Sequence, residues 1–211
     1  VVMNNSGQPG DNLSIRIRGT GTNNDPDPLF IIDGLPMDKE GLNYLNASDV
    51  ESIEVLKDAA SSAIYGARGA NGVVIITTKQ GKKGEKFSVT YDGYYGIQNP
   101  WHKQDMLTSQ QYMDIINEAR ANDGSKNPIF PAEMRDTITW STDWQDEMYY
   151  YNAPKTSHTF TFTGGGAAST YSSSISYFSQ DGIVAKGKSN FDRLTYRLNT
   201  THEFGKLLLG S

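Results

Sequence analysis

The chain of 211 residues has no cysteine, which excludes disulfides, thiolate metal sites and thiol nucleophiles without fixing a compartment. Long apolar runs are missing too: the uninterrupted stretches are only a few residues long, as at Val73-Val74-Ile75-Ile76, where a membrane helix needs about 20. Membrane strands are not excluded, because their signal is alternation and leaves mean hydropathy low. There is no basic excess. With 19 Lys+Arg against 24 Asp+Glu the net charge is -5, which argues against a nucleic-acid partner, since a phosphate backbone calls for a cationic face. Catalytic and metal signatures are absent as well. His102, His158 and His202 are far apart, and no Gly-x-Ser-x-Gly elbow accompanies the many serines. Gly19-Thr20-Gly21 lacks the third glycine of a dinucleotide loop and runs into Asp25-Pro26-Asp27-Pro28 where a helix should begin. Asp25, Asp27, Asp33 and Asp38 lack the order of a calcium loop and read as solvated loop carboxylates. No enzyme, metal or cofactor is expected.

The chain opens Val1-Val2-Met3-Asn4, without a signal peptide, and closes on Leu207-Leu208-Leu209-Gly210-Ser211, which reads as the start of a strand. Both ends read as cuts through a longer protein. Composition changes near residue 85: two Tyr and no Trp precede it, and all three Trp follow it. Two regions are therefore expected, 1–84 and 85–211. In the first, Ser14-Ile15-Arg16-Ile17-Arg18 alternates and stops at Gly19. Leu29-Phe30-Ile31-Ile32 suits a strand covered on both faces, and Asp33-Gly34 before Leu35-Pro36 is turn chemistry. Ile53-Glu54-Val55-Leu56 and Val73-Val74-Ile75-Ile76-Thr77-Thr78 read as strands. Between them Asp58 is placed to cap a small helix over 59–65, ended by Gly66, giving a compact βαβ-like unit.

The second region alternates with period two. Phe87, Val89, Tyr91, Tyr95 and Ile97 share one face, and Ser88, Thr90, Asp92, Tyr94 and Gln98 the other. Phe160 and Phe162 alternate with Thr; Tyr171, Ile175 and Tyr177 oppose Ser172, Ser174 and Ser176; Leu194, Tyr196 and Leu198 oppose Thr195, Arg197 and Asn199. One tyrosine-rich apolar face and one Ser/Thr/Arg/Asn face fit either a solvated antiparallel sheet or a membrane barrel with a wet lumen. The connections run long (about 99–157, with a helix at 109–120 whose face is Tyr112, Ile115, Ile116 and Ala119), short (164–169), intermediate (180–190) and short (203–206). Outer-membrane barrels keep short periplasmic turns and longer outer loops, and this order falls on the correct sides if the chain rises outward along 87–98. Gly164-Gly165-Gly166 reads as a flexible turn, and 79–86 as a linker.

The segment Asp49-Val50-Glu51-Ser52-Ile53-Glu54-Val55-Leu56-Lys57-Asp58-Ala59-Ala60-Ser61-Ser62-Ala63-Ile64-Tyr65-Gly66-Ala67-Arg68-Gly69-Ala70-Asn71-Gly72-Val73-Val74-Ile75-Ile76-Thr77-Thr78-Lys79 resembles the plug domain of TonB-dependent outer-membrane receptors, specifically the SusC/RagA family of Bacteroidota. Ser14 to Gly19 and Pro28 to Gly34 are similar to the same plug. Thr142-Asp143-Trp144-Gln145-Asp146, the stretch 158–165 and Asn190-Phe191-Asp192-Arg193-Leu194-Thr195-Tyr196-Arg197-Leu198-Asn199 resemble that family's first barrel strands. The resemblance implies an α+β plug over 1–84 followed by antiparallel transmembrane strands over 85–211, a fragment of a plugged barrel. Its few strands cannot close even the smallest barrel, which needs about eight.

The resemblance also implies an activity: TonB-driven uptake of an oligosaccharide or peptide across the outer membrane, with a SusD-like lipoprotein as lid. TonB would act through a segment upstream of this one. The partners implied are that lipoprotein, TonB and outer-membrane lipid. Related receptors lock the plug with two Arg-Gly pairs against barrel carboxylates. Arg18-Gly19 fits the earlier pair, while Lys57-Asp58 takes the place of the later one, and Lys lacks the planar fork of Arg. Arg18 and Lys57 are thus the candidate lock, and Gly66, Gly69 and Gly72 the candidate plug-turn glycines, each allowing φ > 0. Trp101, Trp140 and Trp144 are candidate ligand-facing aromatics, and equally suit an interfacial girdle or packing within the long loop. Two other functions stay open: a SusC-like scaffold of an envelope assembly complex without transport, and an independent soluble binding module.

Overall fold

Residues 27 to 84 build a mixed sheet from the apolar runs of the first region. The computed structural model describes residues 2–4, 8–10, 13–15, 17, 27–58, 63–204 and 207–210. Strands β1 (Val2–Asn4) and β2 (Leu13–Ile15) form a small antiparallel pair. Strands β3 (Leu29–Ile32), β4 (Leu35–Met37), β5 (Val50–Leu56) and β6 (Val73–Thr78) form a sheet in the order β4-β3-β6-β5. All four residues of β3 are buried. Phe30 and Ile32 pack with Val74 and Ile76 on one face, and Leu29 and Ile31 with Val73 on the other. The β3–β4 hairpin turns through Asp33 and Gly34 at φ 48 and 86, the left-handed pair that a two-residue hairpin of this twist requires.

The βαβ-like unit expected between β5 and β6 does not form. These strands are antiparallel, and the parallel partner of β6 is β3. A parallel return needs a crossover that carries the chain back along the strand, usually a helix. Here Ala63–Gly69 is a pair of 3-10 turns broken at Gly66, so the chain stays near the end of β5 and β6 comes back beside it in the opposite direction. The expected start of the helix, 59–62, lies outside the described residues. Before β5, Asn46 caps the 3-10 turn Ala47–Asp49 by accepting from the Ser48 amide.

Strands β7 (Ser88–Gln98), β8 (Ala153–Gly165), β9 (Ser169–Asp181), β10 (Asn190–Phe204) and β11 (Leu207–Gly210) form one antiparallel sheet in chain order, which does not close on itself. Its two faces are reversed relative to a soluble sheet. Thr159, Thr161, Ser172, Ser174 and Ser176 are buried, while Tyr91, Tyr95, Phe160, Ile175, Leu194 and Tyr196 are exposed. The hydroxyl face lies against the plug because its small side chains let another backbone approach closely.

Two boundaries move. Strand β8 begins at Ala153, since Pro154 to Ser157 pair with Tyr94 to Ile97, so the long connection is 99–152. Gly164 and Gly165 belong to β8 rather than to a flexible turn. A Cβ at Gly165 would overlap the Lys82 carbonyl, and one at Gly81 the Tyr171 and Gly164 carbonyls. These glycines let the linker lie flat on the sheet, where the Gly165 amide donates to Glu85 O at 2.9 Å. The long connection holds α1 (Ser109–Asn122), α2 (Ala132–Thr137) and α3 (Trp144–Met148). On α1 the buried residue is Met113, with Ile116 and Asn117 half-buried beside it, whereas Tyr112, Ile115 and Ala119 are exposed. The inward stripe is set by what the helix docks on: Asn117 hydrogen-bonds both the amide and the carbonyl of Phe130.

Candidate functional site: the contact between plug and wall

The hairpin turn that closes β3 and β4 aims the Asp33 carboxylate at the end of β6. It accepts from the Thr78 amide at 2.8 Å and from the Thr78 hydroxyl at 2.7 Å. From the wall, the Arg197 guanidinium on β10 pairs with the same carboxylate and donates to Thr78 Oγ1 at 2.9 Å, and Asn199 Nδ2 donates to that oxygen at 3.2 Å. The two charged side chains are 26% and 20% exposed, so water screens the pair only partly. Thr78 is fully buried.

A second contact lies on β8 and β9. The Asn46 side-chain amide donates to Thr159 Oγ1 at 2.9 Å and also to Ser176 Oγ, while the two hydroxyls bond each other at 3.0 Å. A third holds the linker, where Lys83 pairs with Glu203 at 2.5 Å. These polar side chains join the plug to the wall, beside the packing of Gly10 on the Phe191 ring. Of the loop carboxylates, Asp27 pairs with Lys39 and Asp33 with Arg197, Asp38 is solvent-exposed with Arg68 at 3.8 Å, and Asp25 lies outside the described residues.

The loop between β7 and β8 is closed by its own charge cluster. Lys103 pairs with Asp143 at 2.6 Å and Asp146 at 2.7 Å, and Asp146 accepts from the Tyr151 hydroxyl at 2.9 Å. Hydrogen bonding to Asp143 and Asp146 pushes the Lys103 ammonium up; the same bond holds both carboxyls below the ordinary aspartate value, and Asp146 in turn raises Tyr151. Gln104 and Gln145 exchange two further hydrogen bonds at 2.9 and 2.7 Å.

Residues 1–73 match the family model described as TonB-dependent receptor plug domain. The chain is 39% identical to the TonB-dependent receptor SusC of Bacteroides thetaiotaomicron, across 96% of this chain and 20% of that one. It is 34% identical to the TonB-dependent receptor P3 of Formosa agariphila, across 98% of this chain and 19% of that one. The solved structure of the RagAB peptide importer in its closed-closed state superposes with a TM-score of 0.84 at 30% identity, covering 99% of this chain and 26% of that one. The chain belongs to the SusC/RagA family of TonB-dependent receptors. It spans about a fifth of the length of the curated relatives it matches.

Within this receptor segment the expected lock residues lie away from the Asp33–Arg197 contact or outside view. Arg18 is not among the described residues. Lys57 is exposed and follows Leu56, which pairs with Val73, so it stands at the other end of β6 from Thr78. The Asp33–Arg197 pair has opposite polarity to the one the resemblance implies, with the plug supplying the carboxylate and the wall the arginine, whereas in the linker pair Lys83 supplies the cation and Glu203 of the wall the carboxylate. The sequence presents Asp33 as a turn residue and loop carboxylate and Arg197 as a polar-face residue, and does not pair them. The available signal was that Arg197 stands between Thr195 and Asn199 on the polar face of its strand, where it and Arg193 are the cations.

Of the turn glycines, Gly66 and Gly72 have φ of 63 and 99. Gly69 is buried but is not among the glycines with positive φ, so burial rather than backbone sign distinguishes it. Trp101, Trp140 and Trp144 are 100%, 65% and 73% exposed and join no ring pair among the described residues. Packing inside the loop falls instead to Tyr149 against Tyr151, and to Tyr150 beneath Lys186.

Proposed function

We propose that this chain is the gate and first wall segment of an active importer in the outer membrane. Residues 1–84 act as the plug, residues 85–211 as the first lipid-facing strands, and the loop at 99–152 lies on the outer side. The cargo is a nutrient oligomer, an oligosaccharide or a peptide, held under a SusD-like surface lipoprotein, and TonB displaces the plug to admit it. The relatives support this reading by name: SusC is a TonB-dependent receptor and RagAB a peptide importer. The observation that carries it is a sheet with its apolar face exposed and its hydroxyl face holding a folded plug through a few polar contacts. Such contacts exchange for water at modest net cost, so the plug is held in place yet removable. Arg18 and Lys57 would add to this hold, and the exposed tryptophans would meet the cargo or the membrane interface.

A reversible staple tests the proposal. Asn46→Cys with Ser176→Cys in the full-length receptor places two thiols where the side chains now touch. Energised cells should accumulate cargo when the pair is reduced and stop when it is oxidised. Uptake indifferent to a closed staple would overturn the gate. Deletion that spares nutrient uptake but blocks assembly of other envelope proteins would favour a scaffold.

A further inference from the structure

The contacts that hold the plug to the wall are unequal. Arg197, Asn199 and Glu203 are spaced by even numbers along β10, so one strand presents all three to the same side. They all reach the stretch where the plug sheet runs into the linker. Arg197 pairs with Asp33 and donates to Thr78 Oγ1, Asn199 donates to that same oxygen, and Glu203 pairs with Lys83. The linker is fastened beside them. The Gly84 amide donates to Gly166 O at 3.2 Å and the Gly165 amide to Glu85 O at 2.9 Å. This end of the plug is thus tied to the wall by two ion pairs, by backbone hydrogen bonds and by the chain itself.

The other side is held by neutral groups. Asn46 meets the wall at the hydroxyls of Thr159 and Ser176, and Gly10 packs on the Phe191 ring. Ser176 stands opposite Thr195, so the Asn46 contact lies further from the linker end of β10 than Arg197 and Asn199 do. Beside it a cavity of about 1130 Å³ already separates the plug segment 39–47 from the wall. Asn46 lines that cavity and its partners Thr159 and Ser176 do not, so the Asn46 hydrogen bonds close the cavity on the hydroxyl face. Charge-assisted hydrogen bonds are stronger than neutral ones. A pull on the plug therefore parts the Asn46 side first.

We infer that the plug opens on one side of this wall segment: its Thr78 end stays on β10 while the Asn46 side leaves β8 and β9. Parting there extends the cavity along the buried hydroxyls of Thr159, Thr161 and Ser176, and this lane is the way in for cargo. The one-sided opening stands on the contacts alone; its use as an import route rests on the importer reading.

The test uses purified full-length receptor in detergent with Ser176→Cys or Asn199→Cys as its sole thiol. Each substitution removes one neutral hydrogen bond between plug and wall, so neither side is favoured. Maleimide labelling, which reads local opening, is followed through a urea series in which heat-modifiable gel migration shows the barrel still folded. The thiol at 176 should label at lower urea than the thiol at 199, and severalfold faster between the two midpoints. Adding Arg197→Gln should bring the midpoints together. Coincident midpoints with Arg197 in place, or earlier labelling at 199, would overturn one-sided opening; a gap unchanged by Arg197→Gln would overturn Arg197 as the anchor. In energised cells given malto-oligosaccharides and casein peptides, an oxidised Thr78→Cys with Asn199→Cys pair should leave uptake at its reduced-pair level, while the oxidised Asn46→Cys with Ser176→Cys pair should abolish it. Loss of uptake with both pairs closed would overturn the one-sided route. Uptake indifferent to both, alongside the urea gap, would leave the one-sided opening standing and remove the gate from import.

Discussion

Arg197 holds the plug from the wall side, and its loss has a defined cost. Arg197→Ala removes a charge-assisted contact between two largely covered groups, a loss on the order of 1.5–3 kcal/mol. Hydrogen exchange across 29–37 and 73–78 should quicken accordingly in the full-length receptor, and Asn199→Ala, which removes one neutral hydrogen bond, should have a smaller effect. The charge swap Asp33→Arg with Arg197→Asp should not restore protection, because the Thr78 amide also donates to the Asp33 carboxylate. Gly66 makes a different prediction. At φ 63 and ψ -151 it occupies a region essentially reserved for glycine, yet a Cβ there would meet nothing within 4 Å. Gly66→Ala should therefore destabilise the plug by about 1–3 kcal/mol through backbone strain alone. A thermal melt in which Gly66→Ala matches wild type would exclude that account.

At the scale of elements, the loop at 99–152 is closed by Lys103 between Asp143 and Asp146. Both carboxyls are depressed below 3.8, so the stability they contribute is present above that value and is lost as pH falls through their folded values. The Lys103 ammonium is raised above 10.5, so its contribution is full below 10.5 and is lost only as pH rises beyond it. Protease resistance of the loop should stay level between pH 5 and 10 and drop below pH 3.8. Lys103→Met should lower resistance at neutral pH and remove the acid step. Not all of this element was legible in the sequence. The span of α1 was, because apolar spacing and the Thr108–Gln111 capping box are local. Its inward stripe was not: Met113 is the buried residue and Asn117 holds Phe130, and apolar spacing within the helix does not record which face is covered.

At the scale of the whole molecule, the sheet is decided by which face is dry. Leu194 is 74% exposed on the apolar face of β10, while its neighbours Arg193 and Thr195 are half-buried on the other side. If that face meets lipid, Leu194→Lys should cost about 2–4 kcal/mol near the bilayer midplane. The same change at Thr195 should cost far less, since the lumen side is wet. Comparing the folded fraction of the two full-length variants in vesicles checks this; equal yields would place water on both faces.

The sequence by itself determined the alternation of the wall strands, the buried β3, the Asp33-Gly34 hairpin and the family, because each is written in local spacing or in a contiguous motif. It could not choose between a soluble sheet and a lumen wall, since alternation shows that two faces differ and not which one is covered. Only the tertiary structure decided that, by seating the plug on the hydroxyl face. It alone also paired β6 with β3 in parallel and brought Asp33 to Arg197, 164 residues apart. Pairing and charge contacts at that separation depend on how whole elements pack, and no local pattern records them.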